Sequence, residues 1–85
     1  MTILVRGRKI TIEDKLAELA KKCFIDLDER YCLQTIEAML TPNLESLGTT
    51  NIEKEFLTRK EEDLSDILKK GIIKNIKLRG INYVE

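Results

Sequence analysis

The sequence predicts a single small α+β domain over residues 1–85. It has an N-terminal β-hairpin, three to four helices and a C-terminal β-hairpin, the hairpins joined in one antiparallel sheet packed on the helices. Three observations predict it. Apolar residues alternate around an Arg-Gly pair at each end, in "ILVRGRKITI" (3–12) and "IKLRGINYV" (76–84). Between these ends the apolar residues recur at helical spacing. Turn-forming residues gather in one place, from Pro42-Asn43 to Gly48-Thr49-Thr50. A chain of 85 residues forms one domain and buries only about 60–65% of its unfolded surface, so its core is thin. Eleven Ile and 12 Leu against 3 Ala make that core aliphatic.

The first hairpin turns at Arg6-Gly7. Val5 then faces Arg8, Ile3 faces Ile10 and Thr2 faces Thr11, which puts Ile3, Val5, Ile10 and Ile12 on one side. One long strand through Gly7 would split that apolar set between two faces. Thr11 with Asp14 resembles a capping box and starts a first helix carrying Ile12, Leu16, Leu19, Ala20 and Cys23 on one stripe. Asp26 with Glu29 repeats the start signal for a second helix over about 27–40, with Leu27, Tyr31, Ile36, Met39 and Leu40 inward and Pro42 as its stop. Thr50 with Glu53 opens a third, carrying Ile52, Phe56 and Leu57. Leu64, Ile67 and Leu68 follow, either after a break near residues 59–61 or on one continuous helix. Lys69 and Lys70 suit the negative end of the helix dipole and Gly71 suits the C′ position, so the helix is expected to end there. The tail reads as strand, turning at Arg79-Gly80, with Leu78 facing Ile81 and Ile76 facing Tyr83. Leu4, Phe24, Leu33 and Leu44 fall off these stripes. They line an interface, or the assigned phase is wrong there.

Net charge is zero, but the charges are segregated. Residues 1–12 carry +3, residues 13–66 carry −7 and residues 67–85 carry +4. No apolar run approaches the roughly 20 residues of a membrane span. The charges near the N-terminus follow the apolar run, the reverse of a signal peptide. A cytoplasmic protein is expected, with Cys23 and Cys32 as reduced core residues.

Catalytic chemistry finds little purchase. There is no His, the commonest general base, no nucleophile elbow around Ser46 or Ser65, and no Gly-rich phosphate loop. Asp26, Asp28 and Glu29 have the oxygen ligands for Mg²⁺, but a helix start accounts for them equally. Two Cys without His make no usual zinc site. Neither an enzyme nor a cofactor or metal is expected.

The basic residues Arg6, Arg8 and Lys9 at one hairpin, and Lys74, Lys77 and Arg79 at the other, are the candidate binding residues. They suit an acidic protein surface, a second copy of the chain or nucleic acid. Residues 67–85, "ILKKGIIKNIKLRGINYVE", resemble the end of a winged helix-turn-helix domain, with recognition helix, strand and basic-tipped wing. That resemblance implies DNA binding. The stretch from Leu57 to Gly71 is about one helical turn short of that pattern, and Glu61, Glu62, Asp63 and Asp66 would repel phosphates at the recognition helix. The tripeptide "RGR" (6–8) resembles the core of an AT-hook but lacks its flanking prolines. The reading adopted is a small non-enzymatic regulatory or inhibitory module that binds a protein partner, with self-association into a homo-oligomer left open. A nucleic-acid-binding regulator using basic hairpin tips is the alternative. Richness in Ile, Lys and Glu suggests an AT-rich genome, and with it a phage or mobile element.

Overall fold

Arg6 and Gly7 determine the first element. Both hold positive φ, +50° and +79°, as the central residues of a type I′ turn do. The flanking strands β1 (Thr2–Val5) and β2 (Arg8–Thr11) pair antiparallel with Thr2 opposite Thr11, Ile3 opposite Ile10 and Val5 opposite Arg8. The computed structural model describes residues 1–45 and 52–81. In it the hairpin has the register expected from alternation. Val5, Ile10 and Ile12 are buried, and Ile3 packs half-buried against them.

Helix α1 (Asp14–Lys22) turns its Leu16 and Ala20 into the core. Thr11 does not cap it. Thr11 stays in β2, and its N–H donates to the Ser65 hydroxyl at 3.0 Å. The N-cap is Glu13, without a side-chain cap bond. The helix ends in a Schellman arrangement: Phe24 N–H donates to the Lys21 carbonyl at 3.0 Å and Ile25 N–H to the Ala20 carbonyl at 2.9 Å. Phe24 occupies the left-handed position with φ +60°, where Gly is the usual residue.

Helix α2 (Glu29–Glu45) is capped by Asp28 rather than Asp26, the Asp28 carboxylate accepting the Tyr31 N–H at 2.7 Å. Cys32, Ile36 and Leu40 are its buried stripe. Pro42 does not stop it. Proline forfeits one N–H bond and crowds one carbonyl, at a cost of about 3 kcal/mol, and tertiary packing can override that near a helix end. The expected Thr50 cap and the turn-rich residues 46–50 lie outside the described residues. Helix α3 (Ile52–Thr58) buries Phe56. A break at Arg59 and Lys60 separates it from α4 (Glu61–Leu78).

The C-terminal hairpin is corrected. Residues 71–78 are helix, so neither a second pair of strands nor a wing exists there, and the sheet among the described residues has two strands. Leu64, Leu68, Ile72 and Ile76 form one i+4 ladder, every rung at 0% exposure, and that ladder carries α4 through Gly71. Gly71 is a point of close approach instead of a cap. A Cβ placed there would lie 2.3 Å from the Thr35 methyl carbon of α2. The cap comes nine residues later, at Gly80 with φ +83°. Gly80 N–H donates to the Lys77 carbonyl at 3.0 Å and Ile81 N–H to the Ile76 carbonyl at 3.3 Å, a second Schellman arrangement. Tyr83 and the rest of residues 82–85 lie outside the described residues.

Candidate functional site

The basic residues named by the sequence fall into two groups with different roles. At the hairpin, Arg8 and the backbone of Lys9 are engaged by the corner between α3 and α4. Arg8 donates from its guanidinium to the Arg59 carbonyl. Lys9 donates its backbone N–H to the Glu61 carboxylate, and Thr11 bonds Ser65 one turn further along α4. The outer edge of β2 is thereby closed by side chains four residues apart on one helix. The acidic surface beside Lys9 is the chain's own, a shallow hollow with Glu61, Glu62 and Asp66. Arg6 stands exposed at the turn.

Arg79 is likewise committed to structure. Its guanidinium donates to the Cys23 carbonyl at 2.8 Å, at the C-terminal end of α1, and to the Asn75 amide oxygen at 3.3 Å. Asn75 donates in turn to the Tyr31 hydroxyl at 2.9 Å. The chain of bonds ties α1, α2 and α4 together at one end of the molecule. A cation on the exposed carbonyls of a helix end is also favourable to its dipole.

The remaining cations, Lys70, Lys74 and Lys77, are exposed on α4. They are spaced four and three residues apart, which places them on one side of the helix. Lys70 was not among the expected site residues. With residues 71–78 taken as strand, it would not share a face with Lys74 and Lys77. Beside this row runs a groove of about 280 Å³ between α2 and α4. Its floor is Gly71, and its walls are Thr35, Ala38 and Met39 on one side and Leu78 on the other. A further hollow of about 480 Å³ follows α4 itself along Lys70, Ile73, Lys74, Lys77 and Leu78. Leu78 is 79% exposed. At the Tyr31 end the groove meets another hollow, lined by Tyr31, Gln34, Arg79 and Phe24. Phe24 is 94% exposed.

Four of the apolar residues assigned to no stripe thus part company. Leu33 packs half-buried against the core, Leu4 and Phe24 are exposed, and the Leu44 side chain is outside the described set. Cys23 and Cys32 are buried free thiols. Burial, reinforced by the nearby Asp28 carboxylate, pushes the Cys32 thiol up to about 11. Among the described residues, no group of His, Cys, Asp and Glu gathers that would hold a metal ion. None of the described helices is long and apolar enough to cross a membrane.

The chain matches no protein-family model, no curated protein and no solved structure.

Proposed function

We propose that this protein is a small regulatory or inhibitory module, without catalytic activity, that acts by binding another protein through the α2–α4 face. The observation that supports the reading most is the pairing of an apolar groove with a one-sided lysine row and an exposed leucine at its rim. Monomeric surfaces carry isolated exposed apolar residues without consequence, but one set against a groove and a cationic rim has the make-up of a recognition surface. A second copy of the chain is one admissible partner. Light scattering giving a mass above the 9.8 kDa of one chain supports it, and a monomer at high concentration rules it out.

The nucleic-acid reading loses two of its supports, because Arg8 and Arg79 are spent on backbone carbonyls. Its remaining supports are the lysine row and, at the hairpin, the exposed Arg6 and Lys9. Asp26 and Asp28 stand at the Phe24 end of the same face, where phosphates would be repelled. The test is photo-cross-linking in the producing cells, with a photoreactive residue at position 78 and a control at the exposed position 15. Protein adducts at 78 and not at 15 support the reading. Nucleic-acid adducts at 78, or equal protein adducts at both positions, overturn it.

A further inference from the structure

We propose that the occupant of the α2–α4 groove is an acidic amphipathic helix of a partner protein, a deepening that rests on the binding role assigned above. Three observations lead there. The groove lies between two packed helices, the seat that a third helix fills by ridges-into-grooves packing, and its floor sits low because Gly71 brings α4 close to Thr35. The groove's charges all have one sign. Residues 67–78 of α4 contain no acid, and the α2 wall of the groove is uncharged. Lys70, Lys74 and Lys77 therefore meet an incoming segment with positive charge that no acid among the groove's described residues offsets, along about two helical turns, roughly 10 Å. Two apolar residues stand ready as contacts for the partner's apolar side, Leu78 beside the groove and Phe24 beyond its Tyr31 end, where Asp26 and Asp28 confine the partner's acids to the lysine row.

Phe24 strengthens the case independently. A bulky side chain in the left-handed region is strained relative to the ordinary helical region, and Gly at that position would avoid it. Nothing in the core repays the cost, since the ring is almost wholly in solvent. An unrewarded strain carrying an exposed aromatic ring is the pattern expected of a contact residue.

The experiment uses the full chain, isotopically labelled, and three probes. One is a synthetic helical peptide of about four turns with Leu on one face and Glu on the other. A second has the same Leu pattern with Lys in place of Glu, and the third is duplex DNA. The acidic peptide is expected to shift the amide resonances of Gly71, Lys74 and Leu78, and its affinity is expected to fall as salt shortens the screening length. Lys74→Glu/Lys77→Glu is expected to weaken it on the order of tenfold, by removing two ion pairs and adding repulsion. Leu78→Ser, which removes an exposed side chain and leaves the fold intact, is expected to weaken it as well. If the basic peptide binds the groove equally well, the acidic assignment is overturned while the binding face stands. If DNA alone perturbs the lysine row, both are overturned. No shifts at about 1 mM acidic peptide would also reject the assignment.

Discussion

Gly71→Ala is the sharpest probe of how α4 is built. In the interior of an ordinary helix this change stabilises by up to about 1 kcal/mol, because Ala has the higher helix propensity. Here the new methyl would stand 2.3 Å from the Thr35 Cγ2, against about 3.5–4.0 Å for a comfortable carbon contact. Its next neighbour, Met39 Cγ at 3.4 Å, is tolerable. The Thr35 methyl must therefore give way by more than about 1 Å, on a β-branched side chain that is stiff in a helix. Overpacking of this kind costs about 1–3 kcal/mol. The net expectation is a loss of about 1 kcal/mol, or roughly 4–8 °C in Tm for a domain of this size. Urea unfolding followed by far-UV circular dichroism measures it. Thr35→Ser removes the offending methyl, and in that background Gly71→Ala should become neutral or stabilising, a coupling of at least about 1 kcal/mol. If Gly71→Ala destabilises equally with Ser at position 35, Gly71 is needed for its backbone conformation and α4 ends there. If it stabilises the wild-type chain, α2 and α4 do not meet at this point. Either result refutes the reasoning.

Three further outcomes follow from the same contacts. Phe24→Gly should raise stability by roughly 1 kcal/mol in the same urea assay, by relieving the positive φ of a residue that buries almost nothing, while weakening partner binding. Cys32, held at about 11 against an ordinary 9.0, should react with thiol reagents on the order of 100-fold more slowly at pH 8 than in urea-unfolded chain. The folded state holds that proton more tightly than the unfolded state. Stability present below pH 9 should therefore decline between about pH 9 and 11, by up to about 1.4 kcal/mol per pH unit. Arg79→Ala should cost about 1–2 kcal/mol through the lost bond to the Cys23 carbonyl, and Arg79→Lys should recover only part, since one ammonium cannot reach both Cys23 and Asn75 as the forked guanidinium does.

The hairpin was legible because alternation and turn chemistry agree at residues 2–12, and a one-residue slip would have turned Ile3 and Val5 outward. In the C-terminal third the local signals conflict with the helical spacing. Gly71 after Lys69-Lys70 has the form of a helix stop, and Ile72, Ile73 and Ile76 favour strands. The correcting signal was present in the spacing, since Leu64, Leu68, Ile72 and Ile76 keep an unbroken interval of four across the glycine. What spacing cannot supply is the reason Gly is tolerated there, which is the Thr35 methyl on a helix 36 residues earlier in the chain. The site suffered accordingly. Local pattern places Lys74 and Lys77 on a strand pair, and Lys70 joins them only once the helix is continuous. Arg8 and Arg79 looked like binding residues because a sequence does not reveal carbonyl partners 51 and 56 residues away.

Under the proposed function, binding lies with the lysine row of α4 and not with the hairpin tip. Cross-linking from position 78 in the producing cells, repeated with Lys74→Glu/Lys77→Glu and with Arg6→Glu, tests it most directly. Circular dichroism verifies that each variant is folded. The protein adduct should disappear with the α4 variant and persist with Arg6→Glu. An adduct that survives reversal of both lysines and is lost with Arg6→Glu would contradict it.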